Sequence, residues 1–304
     1  MKSPILFLIF KREDTTKRVF ERIREARPPK LYIAADGPRI NIPDEKVKCE
    51  RTRSITNNID WPCEVHKLYQ EHNLGCGKGV STAITWFFSK EEEGIIIEDD
   101  ILPHIDFFKY CDEMLERYRN DERIQLISGR NSFYNGYKSD VSYYMSSYMN
   151  IWGWATWKRV WDTYEFDTQK ISKEQFRINL SKRIQSSSLK YFEKVYDLMY
   201  RYGCDTWDYQ LYFNQIVNER YSIIPYKNMT ENIGFGNIDA AHTTGQNRIE
   251  SDHKAVSPYP LIHPNMFKID TKADILLCKN SSFFIRNIFY RIINKIGRII
   301  KRVN

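Results

Sequence analysis

Three adjacent acids, Glu98-Asp99-Asp100, stand directly behind the apolar run Ile95-Ile96-Ile97. Carboxylates held that close repel one another unless a cation neutralises them. A hard divalent ion, Mn²⁺ or Mg²⁺, takes carboxylate oxygens and leaves positions open for phosphate oxygens. An isolated triplet of this kind is more often a solvated exit from a strand; its place behind a buried strand favours the metal. Arg12 follows another apolar run, where a guanidinium can fork onto phosphate oxygens. It also belongs to the four-charge stretch Lys11-Arg12-Glu13-Asp14, which could be plain surface. Asp36 opens the turn Asp36-Gly37-Pro38-Arg39, where an Asp forms turns readily. His242 is a lone imidazole, able to ligate a metal or phosphate and equally common as a surface residue. Asp205 and Asp208 have the spacing of a helix-capping box, although that box prefers the longer Glu or Gln at its second position.

The elements that must position these groups follow from apolar patterning. Pro4 to Phe10 predicts a first strand, and Asp14 or Thr15 can cap a helix whose apolar face is Val19, Phe20, Ile23 and Ala26. Pro28-Pro29 ends that helix, and Lys30 to Ala35 predicts the second strand. Further strands are expected at Cys63 to Tyr69, at Ile95 to Ile97 and at Arg123 to Ser128. Helices are expected near 80–88, 103–119, 154–163, 172–183, 188–201 and 206–219. Alternating strands and helices, with several strands apolar throughout, predict an α/β fold: a mostly parallel, Rossmann-like sheet flanked by helices. Ligands in such sheets bind beyond the carboxyl ends of the strands, where Arg12, Asp36 and the acid triplet all fall. Trp154, Trp157 and Trp161 recur at helical spacing and predict a core stripe, with Trp152 off that stripe. Gly75-Cys76-Gly77-Lys78-Gly79 lacks the spacing of a phosphate-binding loop and predicts a flexible start to a helix, which would carry Lys78.

Composition narrows the partners. The net charge is +7, but residues 281–304 hold six basic residues and no acid, leaving about +1 for the rest. A nucleic-acid-binding body is therefore disfavoured. Phe284, Ile288, Ile292, Ile296 and Ile299 fall together at helical spacing, flanked by Arg291, Lys295, Arg298 and Arg302. Such a basic amphipathic helix suits an anionic membrane surface, and it could also dock on the body. Six scattered cysteines with no C-x-x-C pair fit a reducing compartment. The apolar run at the start is too short for a secretory segment, so a cytoplasmic protein lying on the inner face of the membrane is expected. A domain over residues 1–265, with halves of about 1–130 and 131–265, and an extension over 266–304 is the expected division.

Taken in order, several segments carry a resemblance. Phe10-Lys11-Arg12, the Asp36 turn, Asn73-Leu74-Gly75, Glu98-Asp99-Asp100, Trp152-Gly153-Trp154-Ala155-Thr156-Trp157, Trp207-Asp208-Tyr209-Gln210 and Gly234-Phe235-Gly236 through His242-Thr243 are the segments. Together they resemble nucleotide-sugar glycosyltransferases of the A-type fold, in particular N-acetylglucosaminyltransferase I and its bacterial relatives. The resemblance spans roughly residues 4–245. It implies a metal on Asp100, with His242 at the metal or diphosphate, and Glu98 and Asp99 on the donor side. It also implies Asp36 by the base, Arg12 by the diphosphate, and Lys78 near the donor. Asp208 would be the general base that deprotonates an acceptor hydroxyl. Trp152 could offer an apolar platform to a sugar ring. The implied activity is metal-dependent, inverting transfer from a UDP-sugar donor to a glycan or lipid-linked acceptor. Two other classes fit parts of the pattern: a non-catalytic nucleotide- or sugar-binding relative, and a sugar-phosphate nucleotidyltransferase. The latter usually opens with a glycine-rich loop after its first strand, and Phe10 to Asp14 contains no glycine.

Truncation after Ser282 is expected to abolish binding to vesicles rich in anionic lipid, measured by co-sedimentation at low and high salt. Unchanged binding would assign the tail to the body instead.

Overall fold

The computed structural model describes residues 1–131, 139–184, 186–234 and 254–277. Four apolar segments make the first half of the main sheet: β1 (Ile5–Ile9), β2 (Lys30–Ala35), β3 (Glu64–Tyr69) and β4 (Glu93–Glu98). They lie side by side in the order β3-β2-β1-β4, all parallel. The two-residue alternation of a strand sends Ile5, Phe7 and Ile9 to one face and Leu6 and Leu8 to the other. On the first face pack α1 (Glu13–Ala26), through Val19, Phe20 and Ile23, and α4 (Asp106–Tyr118), through Phe107, Met114 and Leu115. On the second packs α3 (Gly75–Phe88), through Ala83, Ile84 and Phe87. Both faces of β1 are thus covered, which is why it could be apolar at every position.

The second half of the sheet is mixed. It adds β8 (Trp154–Trp157), β6 (Ile124–Ser128), β9 (Tyr221–Pro225) and β7 (Tyr143–Ser146), in that order outward from β4. Strands β7 and β8 run against their neighbours, and the other six strands share one direction. A separate two-stranded ribbon joins β5 (Ile101–Pro103) to β10 (Thr230–Asn232). Behind the second half, α6 (Lys173–Arg183), α7 (Ser186–Tyr202) and α8 (Asp208–Val217) enclose their own apolar cluster around Phe176, Tyr196 and Phe213. Residues 254–277 run along the β7 edge, where Ser142 N donates to Ile262 O and the buried Asp274 accepts from the Ser146 hydroxyl. No helix among the described residues is long and apolar enough to cross a membrane, and Cys49 and Cys63 are both free. The C-terminal amphipathic segment lies outside the described residues.

Several local expectations are overturned. Trp154 and Trp157 lie on a strand, not a helix; only α5 (Lys158–Trp161) is helical in that stretch. The reason is tertiary: residues 154–157 fill the gap between β4 and β6 and pair with both. A spacing of three residues then sends the two rings to opposite faces, Trp157 among the α4 residues and Trp154 onto Trp207 at 5.7 Å. Neither Asp14 nor Thr15 caps α1, whose N-cap is Arg12. The glycines of 75–79 are not a prelude to α3 but its first turn. The helix α2 (Glu45–Ile55) and the strands β5, β7, β9 and β10 carry too little periodicity to have been expected.

Trp157 is buried, with its indole N–H donating to Leu115 O. Trp157→Ala should cost about 3–5 kcal/mol of folding stability, measured by urea denaturation. A loss below about 1 kcal/mol would mean the ring is not part of the core.

Candidate functional site

Strands β1, β2 and β4 deliver their following residues to one rim of the sheet. Register sets the distances: Leu8 pairs with Glu98, so the chain beyond β1 and the chain beyond β4 leave side by side. Arg12 lies between the acids, with Nη2 2.6 Å from Asp99 Oδ1 and Nη1 2.7 Å from Asp100 Oδ2. Phe10 N donates to the other Asp99 oxygen at 3.2 Å. The cation that the triplet needs is therefore provided, in this state, by the chain itself. Burial opposes the charge on Arg12, but Asp99 and Asp100 outweigh it and hold the guanidinium firmly protonated. Burial pushes the Glu98 carboxyl up to about 8, helped by Asp100 and opposed by Arg12, with Asp99 and Asp208 adding to the rise. Asp99 is also shifted upward, burial outweighing its pairing with Arg12.

Asp208, the first residue of α8, accepts from the Thr206 hydroxyl. Its charge is felt at Glu98, so the two carboxyls lie within electrostatic reach of each other. It is also felt at Tyr164, Tyr191 and Tyr209, each raised mainly by burial, Tyr191 to about 12. Tyr191 and Tyr209 share a hydroxyl–hydroxyl hydrogen bond of 2.7 Å. These tyrosines carry no sequence signal, because they come from α7, α8 and the loop behind α5 and meet only in the fold.

Asp36 and Asp205 hold the start of α3 from two sides. Asp36 accepts from the backbone N–H groups of Gly37, Leu74 and Gly75 and from Asn73 Nδ2, at 2.8–3.2 Å. Burial raises its carboxyl above the usual range, against those donors. Asp205 does not cap α8, whose N-cap is Trp207; it accepts from Gly77 N at 2.7 Å and so caps α3 instead. A Cβ on Gly77 would fall 2.9 Å from the backbone of Thr206, so only glycine permits this approach. Lys78 is exposed beside it, next to Gly79, which itself abuts Asp36.

Trp152 lies just ahead of β8, and the pairing of Ile96 with Trp154 brings it to the β4 carboxyl end. The guanidinium of Arg130, only 1% exposed, stacks over its ring at 4.8 Å. Thr230 binds the pair together, its hydroxyl donating to Trp152 O and its carbonyl accepting from Arg130 Nη1. Gly234 crosses directly over the ion pair: a Cβ there would meet Asp100 Oδ2 at 2.5 Å and Arg12 Nη1 at 3.0 Å. Ile233 N donates to Asp100 O. His242 lies outside the described residues. Glu45 is a further buried acid near the rim, bound by Lys11 and Arg39 and held down at about 2, mainly by hydrogen bonds from Arg39. Two basic residues following successive strands were the available hint of such an acid.

Among the described residues no group of three or more His, Cys, Asp or Glu side chains is arranged to hold a metal. Mg²⁺-type ions beside phosphates need less, commonly one or two carboxylates with the phosphate oxygens completing the shell. Asp99 and Asp100, adjacent and facing a cation already, meet that smaller demand.

No family model matches the chain, and no curated protein does. Among solved structures, HddC from Yersinia pseudotuberculosis is similar at 10% identity and TM-score 0.32, over 53% of this chain and 80% of that one. An apo UDP-glucose pyrophosphorylase gives 11% and 0.38, over 75% and 93%. Mouse xyloside xylosyltransferase 1, also apo, gives 10% and 0.34, over 71% and 81%. Likenesses this distant carry no assignment, which leaves the chain's own geometry to supply one.

Glu98 gives the site a pH signature in metal-free buffer. Its folded-state pKa lies above its unfolded value, so its contribution to stability is complete below the ordinary glutamate range and is lost as pH rises to about 8. Melting temperature should therefore fall between about pH 5 and 8, and Glu98→Gln should flatten that limb. An unchanged slope in Glu98→Gln would show that the carboxyl is not perturbed.

Proposed function

We propose that the chain is a glycosyltransferase of the A-type fold that moves a sugar from a nucleotide-diphosphate donor, a UDP-sugar, to a hydroxyl of a glycan or lipid-linked acceptor. The observation that carries this is the pairing of Arg12 with Asp99 and Asp100 at the ends of β1 and β4, with Asp208 near enough for its charge to act on Glu98. In this reaction the acceptor oxygen bonds to the anomeric carbon as the bond from that carbon to the diphosphate oxygen breaks, and the nucleoside diphosphate leaves with the electron pair. Asp208 takes the hydroxyl proton. Attack from the face opposite the leaving group inverts the anomeric centre, as the family resemblance implies.

Arg12 supplies fixed positive charge for the departing diphosphate. A guanidinium has five N–H donors, and the two contacts to Asp99 and Asp100 leave others for phosphate. Mn²⁺ or Mg²⁺, held by Asp100 with His242, would supply Lewis-acid stabilisation of the same charge. Asp36 and Lys78 border the nucleotide side, and Trp152, braced by Arg130, presents a ring to the donor sugar. The acceptor would be assembled at the cytoplasmic face of a membrane, with the basic C-terminal segment as anchor.

A thermal-shift panel of UDP, GDP, CMP and ADP, each with and without Mn²⁺, tests the donor site. Stabilisation by UDP with Mn²⁺, of about 2.7 kcal/mol at hundredfold excess over Kd, is expected in the wild type and lost in Asp100→Asn. Asp208→Asn should keep that shift while slowing transfer about 10²–10⁴-fold. No nucleotide shift in the wild type would overturn the assignment.

A further inference from the structure

A groove of about 520 Å³ lies along α3. Thr82 and Trp86 from α3, with Ser89 just beyond its end, form one wall, and Tyr164, Glu165 and Phe166 form the other. Among the described residues, three aromatic rings, several hydroxyls and a single carboxylate line it, and no Lys or Arg does. These residues offer no positive charge to a phosphate or a nucleic acid. Rings that accept the C–H face of a pyranose, beside a carboxylate and hydroxyls that take its O–H groups, match a neutral saccharide.

The walls are preorganised. Trp86 packs edge-on against Tyr32 at 5.2 Å, which fixes its plane. Tyr164 stacks on Trp161 at 4.2 Å, and Trp161 Nε1 donates to the Thr85 hydroxyl across the groove floor. Asp167 N donates to one Glu165 oxygen at 2.9 Å and so orients the carboxylate. One end of the groove abuts the proposed general base: Tyr164 OH donates to the carbonyl of Trp207, which immediately precedes Asp208, and Tyr164 feels the charge of Asp208.

We propose that this groove binds the neutral saccharide chain of the acceptor, holding sugar units remote from the hydroxyl that Asp208 addresses. The proposal rests on the chain's being a glycosyltransferase. It makes the preferred acceptor an oligosaccharide rather than a single sugar.

The test uses the full chain and a panel of neutral tetrasaccharides built from glucose, galactose, mannose or N-acetylglucosamine, each against its monosaccharide. Binding is followed by calorimetry and by the indole N–H resonance of Trp86. At least one tetrasaccharide should bind more tightly than its monosaccharide and move that resonance. Phe166→Ala and Glu165→Gln should each weaken it about fivefold to tenfold while leaving the UDP–Mn²⁺ thermal shift unchanged. These two residues are chosen because Trp86→Ala also removes a contact to Tyr32. No tetrasaccharide preference in the wild type, or full binding in both variants, would overturn the groove. A UDP shift with no tetrasaccharide binding sinks the groove alone; tetrasaccharide binding with no nucleotide shift sinks the transferase assignment and leaves a saccharide-binding protein.

Discussion

The guanidinium of Arg12 reaches Asp99 and Asp100 because β1 and β4 are neighbours in register. Each of these ions would cost several kcal/mol to bury alone, and the pair is tolerable only with close geometry and further donors. Phe10 N is one such donor. Everything nearby is arranged around this cluster: Glu98 is displaced toward neutrality, β10 is tied to β5 beyond Asp100, and Gly234 is pressed flat over the pair. Separate β1 from β4 and the acids would lose their counter-charge.

The cluster also explains how three adjacent acids can be held together at a buried rim. Water is largely excluded from Asp99 and Asp100, so their repulsion is strong, and the adjacent guanidinium converts it into a preformed field. One guanidinium is set against the two carboxylates of Asp99 and Asp100, while Glu98 is displaced toward neutrality. The cost of organising this arrangement was met during folding.

The half built on β1 to β4 was legible because its strands are apolar almost throughout and end in charged residues: Arg12, Asp36 and the triplet each fall where β1, β2 and β4 stop. The other half was not. Trp154 and Trp157 sit at a spacing that favours a helix locally, and only the vacancy between β4 and β6 makes them a strand. Asp205 and Asp208 have the spacing of a cap, yet Asp205 serves a helix more than a hundred residues earlier. Tyr164, Tyr191 and Tyr209 surround Asp208 from separate elements, and Arg130 is recognisable only once Trp152 lies over it. Long-range packing decides these positions, and no window of sequence contains it.

Asp205 has a mechanical consequence. It grips the first turn of α3 at Gly77, where the backbones of residues 77 and 206 touch, and three residues later the chain presents Asp208. Asp36 grips the same turn from the far side, behind β2. The turn is thus a strut clamped at both ends, one end in the parallel strands and the other in the helical half. The two halves of the molecule thus keep a common reference point in a single piece of backbone.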